Sequence, residues 1–141
     1  YASLICDGLH VDAINLRIAF KAKGRDRLML VTDAMPTAAS GISTFELSGR
    51  TIVLHEGRLT GPDGTLAGAH LTMIGAVQNA VAFMGVSLLD ALIMASRTPA
   101  HFLGLEHSHG RIKPGFQADY VAFNDDFLVT DTWIGGDHQR H

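Results

Sequence analysis

The chain has 141 residues, a hydrophobic content of 47% and a formal net charge of -3, which favour one folded domain with a sizeable core over a disordered chain. Basic and acidic residues are mixed along the sequence, so charge gives no support for nucleic-acid binding. No apolar stretch reaches the roughly 20 residues that a membrane span needs, and no signal peptide is visible. A single cysteine, Cys6, cannot form an internal disulfide. We therefore expect a cytoplasmic protein without nucleic-acid or membrane partners.

Residues 3–33 predict a strand, a helix and a second strand. Residues 3–6 and 28–32 are apolar runs of the kind that parallel sheets bury on both faces. The helix between them is expected to begin near Asp12 and to end at Gly24, and the whole forms a βαβ unit. The residues that share its expected buried face are Val11, Ile14, Ile18 and Ala22.

The rest of the sequence predicts an insertion, three helices and a β tail. Residues 42–60 are expected to form a β-meander after the second strand. Ser87 and Asp90 form a capping box for the second of the helices that follow, and a short third helix is expected over residues 100–103. Strands are expected from residue 111 to 134, and residues 137–141 are expected to fray. The expected inward-facing residues are Leu71, Ile74, Val77, Gln78 and Val81, then Leu89, Leu92, Ile93 and Ser96.

Polar residues follow both strands of the predicted βαβ unit. Asp7 and His10 follow the first strand, and Asp33 follows the second. The carboxyl ends of parallel strands are where α/β barrels keep their chemistry, so this pattern indicates one active-site edge. From the pattern alone, Asp33 is equally compatible with a loop carboxylate that caps the next turn, whereas a histidine after Gly-Leu, such as His10, is more often a loop or packing residue.

Four stretches of the sequence resemble the amidohydrolase superfamily, and within it the N-acetylglucosamine-6-phosphate deacetylases. They are residues 7–12, residues 30–34, residues 64–68 with 71–73, and residues 110–115 with 118–119. The last stretch is common to many amidohydrolases, whereas the first two, about two dozen residues apart, are more specific to the deacetylases. The similarity covers almost the whole chain.

The resemblance implies an α/β fold, namely the C-terminal fragment of a (β/α)8 TIM barrel with strands of a small β-sandwich domain. Residues 1–110 would supply the last two barrel strands, their helices and the meander, and residues 111–141 would supply strands of the sandwich. The chain opens at once into a buried type of strand. We therefore expect it to be a piece of a longer protein.

The activity implied by the resemblance is metal-dependent hydrolysis of N-acetylglucosamine 6-phosphate to glucosamine 6-phosphate and acetate. Asp33 matches the family's general base and acid, and in some relatives this residue is also a weak metal ligand. The expected cofactor is a divalent metal ion, zinc or iron. Its main ligands would lie upstream, so no metal ligand set is expected in this fragment and the isolated chain is expected to be inactive. The residues implied to bind substrate are Asp7, Gly8, Leu9 and His10, with Leu66, Ala67 and Gly68.

The implied partner is a small amino-sugar phosphate, and the full-length protein is expected to be a homo-oligomer, either a dimer or a tetramer. Two alternatives stay open: another metal-dependent amidohydrolase, dihydroorotase-like or deaminase-like, or a non-catalytic binding or assembly module. His55 and His70 have no partner that the sequence identifies. Structural or solvent-facing roles are expected for His101, His107 and His109.

Overall fold

The computed structural model describes all residues from 1 to 141. Strand β1 (Ala2–Ile5) pairs in parallel with β2 (Leu28–Val31), with Ile5 opposite Val31 at their shared end. Helix α1 (Ala13–Lys23) connects them and is capped by Asp12, whose side chain accepts the Ile14 N–H. The predicted order of strand, helix and strand is confirmed.

The buried face of α1 differs in part from the predicted one: Val11 packs against the core as expected, but Ala22 is exposed. Leu16 is fully buried, whereas Ile14 and Ile18 are 60% and 57% exposed. Ala19 and Phe20, one turn after Leu16, pack against the same core. The prediction was wrong because several apolar residues give α1 two candidate stripes, and the way the helix lies on β1 and β2 decides which is buried. Helical periodicity carries no information about that placement.

The predicted meander is present between a short 3-10 helix, Pro36–Ala39, and the later helices. Its antiparallel strands are β3 (Thr44–Leu47), β4 (Arg50–His55) and β5 (Arg58–Thr60). Each connecting turn places two successive residues at positive φ, which is the backbone of the hairpin turns that match strand twist. Ile52 and Leu59 are its buried side chains.

Three helices follow the meander: α2 (Met73–Asn79), α3 (Leu88–Ala95) and α4 (Arg97–Phe102). Helix α2 continues into a π-helical turn, Ala80–Met84, and Gly85 ends it in the left-handed conformation. The capping box of α3 is confirmed, because Ser87 Oγ accepts the Asp90 N–H at 3.1 Å and donates to the Asp90 carboxylate at 2.8 Å.

Part of the predicted inward face of these helices was wrong. Gln78 is exposed and Leu89 is 62% exposed. The small residues Ala76, Ala80 and Ala91 face the core instead and allow the helices to pack closely, which the periodicity alone does not reveal. The buried residues of α2, the π turn and α3 are Ala76, Val77, Ala80, Met84, Ala91 and Met94. Helix α4 begins at Arg97, before the predicted start, because Pro99 in its first turn needs no N–H partner.

The tail forms a second antiparallel sheet from β6 (Tyr120–Phe123), β7 (Val129–Ile134) and β8 (Asp137–Arg140). The expectation that residues 137–141 fray was wrong. His138 Nε2 lies 2.8 Å from the Asp131 carboxylate, and its ring stacks on Trp133 at 4.8 Å. The prediction missed β8 because its sequence is polar and has no strand pattern. The strand forms because the Gly135–Gly136 turn returns the chain onto β7. No strand forms at residues 111–112.

The main hydrophobic core lies between the β1–β2 sheet, α1, α2 and α3. It contains thirteen buried residues, among them Cys6, Leu16, Leu28 and Leu30. A groove of about 620 Å³ lies between α2, α3 and the tail sheet, and no residue of β1, β2 or the loops that follow them lines it. None of the helices combines the length and the apolar character needed to cross a membrane.

Candidate functional site

Asp33 lies just beyond the carboxyl end of β2 and is exposed. Its φ of 50° is in the left-handed region, where aspartate is more common than most non-glycine residues. Its carbonyl accepts the Ala69 N–H at 2.8 Å, and the Met35 N–H donates to the Ala69 carbonyl at 3.0 Å. Asp33 is therefore held by a segment that returns to it from the far side of the meander.

We call this returning segment, residues 66–70, the strap. The Ala67 N–H donates to the Leu59 carbonyl at 3.0 Å, which ties the strap to β5. Gly68 has a φ of 76°, and a Cβ at this position would lie 2.4 Å from Met35 Cγ and 3.2 Å from the Asp33 carbonyl oxygen. Only glycine fits this close approach. Leu66, Ala67 and Gly68, which the sequence implies as substrate-binding residues, thus lie on the same strap beside the Asp33 backbone.

Asp7 and His10 form a tight pair in the loop after β1. The Asp7 Oδ1 atom accepts the backbone N–H groups of Leu9 and His10, both at 2.9 Å, and Oδ2 lies 2.7 Å from His10 Nδ1. The Asp7 and His10 side chains are only 10% and 19% exposed. Both Asp7 oxygens are used within the loop, so Asp7 orients the imidazole and leaves His10 Nε2 available for another partner.

The remaining residues of this loop are positioned by α2 and the π turn. Gly8 has a φ of 73°, and a Cβ there would meet the Phe83 ring at 3.2 Å. The Asn79 side chain donates to the Cys6 carbonyl at 2.8 Å, just before Asp7. Leu9 is half-buried. The left-handed backbone favours glycine at this position, and the Phe83 ring adds a close contact. Neither Phe83 nor Asn79 was singled out from the sequence, because both lie more than 70 residues away along the chain.

Asp7 should make the stability of the fold depend on pH in the acidic range. Burial alone would raise the pKa of the Asp7 carboxyl, but hydrogen bonds from the His10 backbone and ring and from the Leu9 N–H outweigh it and hold the pKa below its ordinary value of 3.8. A carboxyl with a depressed folded pKa stabilises the fold above its unfolded pKa, and that contribution is lost as pH falls through the folded pKa.

We therefore expect Asp7→Asn to lower the free energy of unfolding by about 1–2 kcal/mol near neutral pH. Urea denaturation should show that the difference in free energy of unfolding between Asp7→Asn and the wild type stays constant down to about pH 5. This difference should shrink below the ordinary carboxyl pKa. Asp12→Asn is the matched control, because Asn caps a helix as well as Asp does. A gap that persists unchanged near pH 3 would contradict the expected role of the Asp7 charge.

The histidines other than His10 pair with neighbouring side chains or face solvent. His101 Nδ1 lies 2.9 Å from the Tyr1 hydroxyl, and His109 Nδ1 lies 2.8 Å from Ser108 Oγ. His107 is exposed. His70 does have a partner that the sequence did not identify, since its Nδ1 lies 3.0 Å from Thr37 Oγ1.

The metal-binding capacity of this chain is limited to isolated donors. No group of three or more His, Cys, Asp or Glu side chains is arranged to hold a metal ion. Asp33 offers one carboxylate, whereas His10 Nδ1 is already engaged by Asp7. Catalytic zinc sites take three protein ligands, so the residues of this chain do not by themselves fit a catalytic metal centre.

Comparisons with known proteins extend over almost the whole chain. The model of the amidohydrolase family matches residues 7–138. The N-acetylgalactosamine-6-phosphate deacetylase of Shewanella sp. (strain ANA-3) is 39% identical over 137 residues, covering 97% of this chain and 34% of that protein. The N-acetylglucosamine-6-phosphate deacetylase of Haemophilus influenzae is 33% identical over 138 residues, covering 96% of this chain and 36% of that protein.

A solved structure agrees with these sequence relatives. The crystal structure of N-acetylglucosamine-6-phosphate deacetylase from Pasteurella multocida matches with a TM-score of 0.95 and 40% identity, over 100% of this chain and 37% of that one. The chain spans about a third of the length of these two curated relatives.

Proposed function

Because the chain belongs to the amidohydrolase family, we propose that it forms the C-terminal third of a deacetylase that hydrolyses N-acetylglucosamine 6-phosphate to glucosamine 6-phosphate and acetate. One observation carries the proposal: Asp33 and the Asp7–His10 pair follow two parallel strands that end side by side. The similarity of the chain, over almost its whole length, to proteins named for this type of activity supports it.

In this proposal, β1 and β2 are the last two strands of a (β/α)8 barrel. Residues 1–110 belong to the barrel and residues 111–141 to a small β-sandwich. The position of Asp33, exposed beyond the end of a buried parallel strand, is the position from which such barrels present catalytic groups. The homo-oligomeric state, dimer or tetramer, stays a prediction for the full-length protein.

Asp33 would move the proton that the reaction requires. Water attacks the acetamide carbon, a C–O bond forms and the C–N bond breaks, and the amine needs a proton in order to leave. A carboxylate can take the proton from the attacking water and then give it to the amine nitrogen. Members of this family generally use a divalent metal ion, and most of its ligands would have to come from outside this chain. A weak contact of Asp33 with that ion is part of the proposal.

His10 would bind the sugar. Because Asp7 fixes Nδ1, the Nε2 atom of a neutral His10 ring accepts a hydrogen bond, and a second proton would turn it into a donor. Either state suits a sugar hydroxyl or the acetamide carbonyl. The main chain of Leu66, Ala67 and Gly68 would close over the same ligand. Ala67 and Ala69 bring no hydroxyl, so this part of the strap would contribute only backbone groups to the ligand.

N-acetylgalactosamine 6-phosphate is the second candidate substrate. The Shewanella relative, whose name gives that substrate, is 39% identical to this chain, against 33% for the Haemophilus relative. The two sugars differ only in the orientation of the hydroxyl at C4, so a direct comparison of the two phosphates decides between them.

Acetate release by the full-length protein that carries this chain tests the proposal. We expect turnover of N-acetylglucosamine 6-phosphate that a chelator abolishes and added zinc or iron restores, because the water must be acidified by the metal. The isolated chain should release no acetate above a metal-only blank. If the folded, metal-loaded protein turns over neither amino-sugar phosphate, the deacetylase proposal is wrong, and dihydroorotase-like and deaminase-like reactions become the next candidates. If loss of Asp33 and His10 alters no ligand affinity, a non-catalytic module is favoured.

A further inference from the structure

We propose that Thr37 and His70 are positioning residues for the reaction, whose side-chain hydrogen bond clasps the strap onto the segment after β2 and so holds Asp33 in place. This inference rests on the proposed function, because it assigns the clasp a role in the work of Asp33. No partner of His70 was identifiable from the sequence, and Thr37 did not stand out from the loop around it.

The first observation is the burial of Thr37. Thr37 and Thr98 are the only buried polar residues of the chain, and Thr37 is fully buried. The single side-chain partner of its hydroxyl is His70 Nδ1, at 3.0 Å. A buried hydroxyl that donates to nothing is costly, so we assign Thr37 Oγ1 as the donor and Nδ1 as the acceptor. His70 is then the neutral tautomer with its proton on Nε2.

The second observation is the backbone of Asp33. A φ of 50° is disfavoured for a residue with a Cβ and persists only where the surroundings enforce it. The strap supplies that enforcement through the two backbone hydrogen bonds between Ala69 and the Asp33–Met35 segment. Thr37 and His70 join the same two segments, one residue further along the strap. The clasp therefore resists separation of the strap from the stretch that contains Asp33.

Thr98 provides a matched control for Thr37. The Thr98 hydroxyl donates to the Arg25 carbonyl at 2.6 Å, and the residue is 2% exposed. Thr98 is therefore, like Thr37, a buried threonine with a hydrogen-bonded hydroxyl. Its bond joins α4 to the turn before β2, at the opposite end of β2 from Asp33. A purely structural role for Thr37 would make the two threonines equivalent in kinetics.

The kinetic test compares Thr37→Val with Thr98→Val in the full-length protein. Both should lower the melting temperature, but only Thr37→Val should lower kcat for acetate release, by about tenfold, because a small displacement of a catalytic group is enough for such a loss. Thr37→Ser keeps the hydroxyl and should recover most of the rate. Equal kcat values for the two valine variants overturn the proposal.

Changes at the exposed His70 test the same bond without disturbing the core. Asn places a carbonyl oxygen close to the position of Nδ1, whereas Gln places it further out. We therefore expect His70→Asn to keep most of the wild-type kcat. The kcat of His70→Gln should fall about as far as that of Thr37→Val. If His70→Gln is as active as His70→Asn, the clasp has no role in positioning.

Imidazole ¹⁵N chemical shifts separate the clasp from the proposed function. Histidine-labelled wild-type protein should show His70 with its proton on Nε2, and Thr37→Val should return it to a mixture of tautomers. A wild-type protein that releases no acetate overturns the proposed function. In that case the chemical shifts alone test whether Thr37 donates a hydrogen bond to His70, and a proton on Nδ1 of His70 overturns that assignment.

Discussion

Replacing Asp33 with Asn in the full-length protein is expected to lower kcat by about 10²–10⁴-fold, the usual contribution of a positioned acid and base. The amide is nearly the same size as the carboxylate but cannot take the proton from water and return it to the amine. Asn also tolerates a left-handed backbone, so the φ of 50° adds no strain to the variant. KM should stay within a few-fold of the wild type, since the substrate contacts proposed for His10 and the strap are unchanged.

Steady-state acetate release, with a thermal melt to confirm folding, checks this expectation. Asp125→Asn is the matched control, because Asp125 is an exposed carboxylate in the loop between β6 and β7 and makes no side-chain hydrogen bond. That variant should retain wild-type kcat. If Asp33→Asn keeps a kcat close to that of Asp125→Asn, Asp33 does not transfer the proton.

The second large effect is expected at Leu16. Leu16 is fully buried among Cys6, Leu28 and Leu30 in the main core. Truncation to Ala removes buried methyl groups and leaves a cavity, so the free energy of unfolding should fall by about 2–5 kcal/mol. This is a large fraction of the stability of an ordinary domain.

Ile14→Ala is the control, because Ile14 lies on the same helix but is 60% exposed. Exposed substitutions usually change stability by less than about 0.5 kcal/mol. Urea denaturation of both variants of the 141-residue chain measures the difference. If Ile14→Ala costs as much as Leu16→Ala, the helix packs through the face that its periodicity suggested.

The elements that sequence alone predicts here are those specified locally. The apolar runs of β1 and β2, the glycine turns of the meander and the Ser87–Asp90 cap each depend on residues a few positions apart. The buried face of α1 and the strand β8 were missed for the opposite reason. The packing of α1 on the sheet determines that Leu16 is buried, and pairing with β7 determines that β8 forms. The local sequence pattern of each segment therefore predicts neither.

The candidate site divides in the same way. Asp7, His10 and Asp33 stand out because each follows an apolar strand, and the parallel pairing of β1 with β2 brings these strand ends together. The contacts between these residues and their supports do not stand out. The strap reaches Asp33 from 36 residues further along the chain, and Thr37 meets His70 across 33 residues. Such pairings follow from the packing of the meander and cannot be deduced from either segment alone.

Cys6 gives the carboxyl end of β1 a chemical reporter of its own motion. It is the only thiol in the chain, it is fully buried, and burial, together with the nearby Asp7 carboxylate, raises its pKa to about 11. Alkylating reagents attack the thiolate, so modification has to wait until the strand end opens to solvent. The rate of alkylation therefore reports how often the residue next to Asp7 becomes exposed to solvent. A ligand that closes this edge would slow the labelling without reacting itself.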